Sequence, residues 1–265
     1  MQNCRTYGIP PYAIAVIHGG PGAGGEMEPV ARELALDSGV LEPLQTATTL
    51  AGQVDELRSV LKNHAEPPVI LIGFSWGAWL SYLLTAQSPE LVKKLILVGS
   101  GPFEHYYLER IQQTRLSRLT ESERAEYNAI IDLLNGPNEE GKAEKFARLG
   151  QLASQTDCYD PIEKMVNQPI SRSGEGNKFH EVLREAQEMR KDGRLLILAN
   201  QIHCPVVALH GDYDPHPAEG VREPLSSRLR NFRFISLEKC GHKPWIEHHA
   251  RDTFYEILRA ELHEA

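Results

Sequence analysis

Short apolar runs, mostly unbroken but alternating at Phe232–Leu237, are interleaved along this chain with stretches whose apolar residues recur every three or four positions. The runs at 12–18, 40–44, 69–74, 95–98, 205–210 and 232–237 predict strands. Between and after them, 26–36, 49–63, 76–86 and 250–262 carry helical spacing, with Val54, Leu57 and Leu61 on one face of the second and Phe254, Ile257 and Leu258 on one face of the last. Continuous rather than alternating apolar strands are those of a sheet covered on both faces. Strands separated by single helices pair in parallel through right-handed crossovers. The pattern therefore predicts an α/β fold with a mostly parallel central sheet flanked by helices.

The alternation stops at Pro102. From Phe103 to about Asp192 no run reads as a strand, and helical spacing dominates at 107–119, 121–134, 139–152 and 178–190. Thr120 and Glu123 are spaced as a capping box for the second of these. Gln168–Asn177 is mostly polar and predicts a mobile loop. We expect residues 1–102 and 193–265 to form the core and 103–192 to form a helical cap. The cap would be inserted after the fourth predicted strand, over the sheet edge where α/β proteins keep their ligand crevice.

Composition narrows the function classes without choosing one. A net charge of −8 argues against a nucleic-acid partner and gives no reason for attraction to an anionic membrane. The run Ile14–Ile17 is too short for a signal peptide, and no run approaches a membrane span. Cys4, Cys158, Cys204 and Cys240 are scattered, fitting neither a disulfide framework nor a zinc site, so reduced thiols in a cytoplasmic protein are expected. No cofactor or metal motif is present. The oligomeric state is left open.

The candidate chemistry sits at strand ends. Gly73-Phe74-Ser75-Trp76-Gly77 joins the strand at 69–74 to the helix at 76–86. This is the nucleophile-elbow form, in which a sharp turn lifts a serine hydroxyl out of the sheet at a helix N-terminus. His18-Gly19-Gly20-Pro21-Gly22-Ala23-Gly24-Gly25 follows the first predicted strand. Such a loop can offer backbone N–H groups to a developing anion, although Pro21 has none to give. A serine nucleophile needs an imidazole base, and that base needs a carboxylate to orient it. Ser75, Asp214 and His242 occur in the order that belongs with the elbow, each just after a predicted strand. Asp212 competes with Asp214, but it directly follows Gly211 and suits a turn-supporting role. His18 reads as a loop brace. His216 stands too close to the acid in sequence to reach back as base. His248, His249 and His263 fall near the closing helix.

On these motifs the chain resembles the α/β-hydrolase-fold serine hydrolases along nearly its whole length. His18–Gly22 together with Gly73–Gly77 resembles the proline iminopeptidase branch. The resemblance implies Ser75 as nucleophile, Asp214 as acid, His242 as base, and the backbone N–H groups of Trp76 and Gly20 as the oxyanion hole. It implies a metal-independent hydrolysis of an ester or amide bond in a small molecule or short peptide, with a proline iminopeptidase type of aminopeptidase as one form. A carboxylesterase, a carbon–carbon bond hydrolase or a non-catalytic ligand-binding homologue are the alternatives. Two features depart from the branch. Residues 40–50 contain no Asp-Gln-Arg-Gly-x-Gly-x-Ser segment, and the region ahead of the first predicted strand is too short for the usual leading hairpin.

Overall fold

A computed structural model describes residues 3–136, 141–166 and 179–264. Among them, seven strands form one sheet: β1 Cys4–Tyr7, β2 Tyr12–Ile17, β3 Gly39–Pro43, β4 Val69–Phe74, β5 Val92–Val98, β6 Val206–Gly211 and β7 Phe232–Leu237. Their order is β1-β3-β2-β4-β5-β6-β7, with β1 antiparallel to β3 and every other pair parallel. The helices are α1 Glu28–Leu34, α2 Leu50–His64, α3 Trp76–Gln87, α4 Leu108–Arg118, α5 Glu121–Asn135, α6 Lys142–Thr156, α7 Glu163–Val166, α8 His180–Lys191, α9 Arg194–Ile197, α10 Glu219–Ser226 and α11 Arg251–His263.

The period of two along each strand divides the core into two layers. Ala15, Ile17, Leu71, Leu95 and Leu97 face α2 and α3. Their neighbours Ile14, Val16, Ile70, Ile72, Ile96 and Val98 face α1 and α11 on the other side. Because both faces are covered there, the central strands β2, β4, β5 and β6 are apolar at most positions. Helix α3 is buried from Trp76 to Ala86, which is why it lacks a polar face. Thr49 caps α2 by accepting from Gly52 N–H at 3.1 Å, and the capping box of Thr120 and Glu123 opens α5.

Several features depart from the expectations. Strand β1 has only Cys4 buried, so nothing in its pattern marks a strand, and it stands where a leading hairpin was not expected. The helical segment follows the strand predicted at 95–98, which is the fifth of the sheet once β1 is counted, and helix continues past Asp192 to Gln201. Strand β5 begins at Val92 because Lys94, which interrupts the apolar run, is buried against Glu261 at 3.1 Å. Helix α10 is unmarked in the sequence because Pro224 stands inside it, yet Val221 and Leu225 anchor it to the core. The loop expected at Gln168–Asn177 and the first residues expected of the helices at 139 and 178 lie outside the described residues.

Candidate active site

Ser75 has φ 52° and ψ −115°, in a region that disfavours a side chain. Such a conformation costs on the order of 1–3 kcal/mol and persists only where the surroundings enforce it. Here they do. Ser75 N–H donates to Val98 O at 2.9 Å, tying the turn to β5. A Cβ on Gly73 would collide with the Gly77 carbonyl, and one on Gly77 with the Ile17 carbonyl. Glycine at those two positions lets β4, α3 and β2 close around the serine.

The structure brings the three sequence-predicted side chains together. His242 Nε2 lies 3.1 Å from Ser75 Oγ, and His242 Nδ1 lies 2.7 Å from Asp214 Oδ2. With Nδ1–H donating to the carboxylate, Nε2 is free to accept from the serine hydroxyl. All three stand at the C-terminal edge of the sheet, after β4, β6 and β7, because parallel strands bring their following loops to one side. Asp212 is turned away: its Oδ1 accepts from Cys240 N–H at 3.1 Å and holds the loop before His242.

The acid is more heavily engaged than the sequence indicated. Asp214 Oδ1 accepts from both the backbone N–H and Nδ1 of His216, at 2.9 and 2.8 Å. His210 Nε2 lies 3.6 Å from Oδ2. Burial pushes the Asp214 carboxyl up, but the charges of His242, His216 and His210 and the His216 hydrogen bond overcome it, so it titrates well below the usual carboxylate range. Burial lowers His242, but Asp214 beside it prevails and its pKa is raised. At His216 burial wins over Asp214, and the pKa is lowered. The two imidazoles stack with centroids 4.5 Å apart. His216 was passed over because proximity in sequence hid that the turn folds it back onto the same carboxylate. Asp214, His216 and His242 each offer a donor atom within 4.8 Å of the others, as a metal site would. Both imidazole Nδ1 atoms are already directed onto the Asp214 oxygens, so the cluster is satisfied by its own hydrogen bonds.

The glycine loop is held in place by partners from elsewhere. His18 is fully buried, with Nδ1–H on Gly19 O at 2.8 Å and Nε2 accepting from Gln45 N–H at 3.3 Å. Burial lowers its pKa, keeping it a neutral brace. Glu26 takes the Gly19 N–H at 3.2 Å and the Lys243 ammonium at 2.7 Å, joining this loop to the one that carries His242. The N–H groups of Gly20 and Trp76 have no partner among the described residues. Sequence reasoning also missed Glu247. This buried carboxylate accepts from Gly241, Tyr159 and Asp160 N–H at 2.8–2.9 Å, joining the helical segment to the His242 loop.

A cavity of about 400 Å³ opens on Ser75, Trp76 and Gly20. Its opposite wall comes from the segment between β5 and β6: Leu108, Ile111 and Arg115 of α4, Ile131 of α5, and Leu183 and Arg190 of α8. Among the described residues no aspartate or glutamate lines it.

Comparison with known proteins agrees with this architecture. The alpha/beta hydrolase family model matches residues 14–257. The chain belongs to the alpha/beta hydrolase family. A curated relative, the pimeloyl-[acyl-carrier protein] methyl ester esterase of Neisseria meningitidis, is 26% identical over 198 residues, covering 74% of this chain and 58% of its own length. This chain thus spans less than two thirds of that relative. Among solved structures, VinJ superposes with a TM-score of 0.71 at 16% identity, covering 98% of this chain and 94% of its own. The proline iminopeptidase of Mycobacterium smegmatis gives 0.62 at 17% identity, covering 98% and 94%. At such identities both are similarities of fold. All four cysteines of this family member are free thiols. Among its described residues no helix is long and apolar enough to cross a membrane.

Proposed function

We propose that the protein is a serine esterase that cleaves a small carboxylic ester through an acyl-enzyme. The observation that carries this reading is the unbroken line from Ser75 Oγ through His242 to Asp214, at 3.1 and 2.7 Å, at the edge of a cavity lined by Ser75, Trp76 and Gly20. Ser75 Oγ attacks the ester carbonyl carbon while His242 Nε2 takes its proton. The carbonyl oxygen becomes an oxyanion held by the N–H groups of Trp76 and Gly20, each worth about 3–4 kcal/mol in comparable sites. His242 then gives its proton to the leaving alkoxide, releasing the alcohol. Water, deprotonated by the same imidazole, attacks the acyl-enzyme and regenerates Ser75. Asp214 stays ionised throughout, orienting His242 and stabilising its charged form.

The segment 103–192 acts in this reading as a cap that encloses the acyl group and limits water. Esters are favoured over peptides with a free amino terminus because that amine needs a carboxylate partner, and the described cavity wall provides none. The name of the curated relative, an ester hydrolase, supports the same choice.

The test is labelling by a fluorophosphonate followed by turnover of short acyl esters beside proline aryl-amides with free and blocked amines. Labelling at Ser75, ester turnover, and loss of both in Ser75→Ala are the expected results. An unlabelled Ser75 would favour a ligand-binding homologue, and turnover confined to free-amine amides would favour an aminopeptidase.

A further inference from the structure

Among the described residues two arginines line the cavity that holds Ser75, and they differ in how their charge is met. Arg115 is paired: its Nε and Nη2 donate to the two oxygens of Asp157 at 2.8 and 2.6 Å. Arg190, in the last turn of α8, is only 7% exposed, and its Nε is buried without a partner. Among the described residues its side chain has neither a hydrogen bond nor a carboxylate within ion-pair distance. The acids nearest in sequence are committed elsewhere. Glu181 and Glu188 bond Arg184, Glu185 accepts the Leu50 N–H, and Asp192 bonds Arg194. Burial lowers the Arg190 pKa to about 10, which still leaves a cation at neutral pH.

A buried charge without a counter-charge is unfavourable, and a guanidinium presents five donors to be met. The face of Trp79, 5.0 Å from the Arg190 Cζ, meets part of this need through cation–π attraction, but it accepts no N–H in the guanidinium plane. Trp79 is itself fixed by its indole N–H on Gly101 O at 3.1 Å, and it also lines the cavity. It stands four residues beyond Ser75, on the helix the serine opens, which is about 6 Å along the axis. Arg190 therefore lies against a ring carried by the helix that Ser75 opens, and all three residues line one cavity. A single unneutralised guanidinium matches one planar monoanion through parallel N–H···O bonds.

Resting on the esterase reading above, we infer that the preferred ester carries a free carboxylate, on its acyl or its alcohol part, and that Arg190 receives it. Cleavage of such an ester leaves the carboxylate unchanged. Arg190 thus sets specificity and anchors the substrate while Ser75 acts on the ester carbonyl.

The experiment compares kcat/KM for charged and neutral esters of matched length. On the acyl side these are mono-p-nitrophenyl adipate and p-nitrophenyl hexanoate. On the alcohol side they are the hexanoyl ester of γ-hydroxybutyrate and butyl hexanoate. The charged member of at least one pair should be favoured by about 10- to 100-fold. Arg190→Gln should bring that ratio close to one, chiefly through KM, and Arg190→Lys should retain part of it. A ratio near one in both pairs for the unaltered protein would overturn the inference, and that comparison does not depend on any variant folding. So would an Arg190→Gln protein that loses charged and neutral turnover alike. If no ester turns over, the esterase reading fails separately. Calorimetry of Ser75→Ala with adipate then decides: saturable binding that Arg190→Gln removes upholds the carboxylate site, and no binding overturns it.

Discussion

The two walls of the cavity are built differently. On the sheet side the catalytic carboxylate and the side chains that brace the site are each held by more than one partner. Asp214 is met by His242, His216 and His210, Glu26 joins Gly19 to Lys243, and His18 spans from Gly19 to Gln45. Beneath them lie two extended apolar layers. On the helical side, Leu119, Tyr127, Ile130 and Leu152 form a small core of their own, and the ion pairs Arg148–Glu126 and Arg184–Glu188 lie at the surface. The wall they present is apolar apart from a few side chains such as Arg115, Arg190 and Gln187. Reaction chemistry requires groups held to fractions of an ångström, and mutual bonding on a rigid sheet edge provides that. Recognition requires a shape and a charge, which locally packed helices can supply and vary. The bonds that join the two include His242 N–H to Asp157 O at 2.7 Å, Ile162 N–H to Ile246 O at 2.7 Å, Leu50 N–H to Glu185 at 3.2 Å, the Tyr107 hydroxyl to Glu223 at 3.0 Å, and those of Glu247.

The comparison can be broken most sharply at Asp214. Asp214→Asn should lower kcat by about 10⁴-fold, since it disturbs the tautomer and orientation of His242. Asp212→Asn should act mainly on stability, and equal losses of kcat from the two would move the acid. The pH profile sharpens the same point. His242 must be neutral to act as base, and its pKa is raised above 6.5, so kcat/KM should rise with pH through that raised value. The Asp214→Asn protein should show this limb displaced to lower pH. Stability should run the other way for His242. Its favourable pairing is complete below 6.5 and is lost as pH rises through the folded pKa. Asp214, with its depressed pKa, contributes at neutral pH and loses that contribution only in strong acid.

Smaller effects are expected at the joint and beyond it. Glu247→Gln replaces a buried carboxylate that accepts three backbone N–H groups, and should cost about 2–3 kcal/mol by urea denaturation. It should also reduce kcat several-fold by loosening the His242 loop. If stability fell with kcat untouched, the two walls would be less coupled than the bonds indicate. Arg148→Ala removes an exposed pair within the helical segment and should leave melting temperature and kcat/KM within error of the parent.

What could be read in advance follows the same division. The elbow was legible because strand, glycine, serine, glycine and helix are neighbours in sequence, and a sharp turn permits few residue types. Strand β4 runs over Val69–Phe74, and α3 begins at Trp76, where the pattern put them. Capping at Thr120 was equally local. Strand β1 was illegible because an edge strand needs no apolar run, and α10 because Pro224 contradicts a helix interior until packing overrides it. Glu247, Glu26 and His216 could not be singled out among many similar residues. Their roles depend on which backbone N–H or carboxylate the fold places against them.

By itself, the sequence determined the alternating α/β order, the strained serine at the end of β4 and the types of side chain available to serve it. These rest on local sterics and on periodicity, which act over a few residues. Only the tertiary structure decided which carboxylate meets which imidazole, which backbone N–H groups stay unbonded near Ser75, and which cavity arginine remains without a counter-charge. Pairing of charges and burial depend on distances between segments far apart in the chain. Asp157 neutralises Arg115 across 42 positions, while nothing among the described residues does so for Arg190.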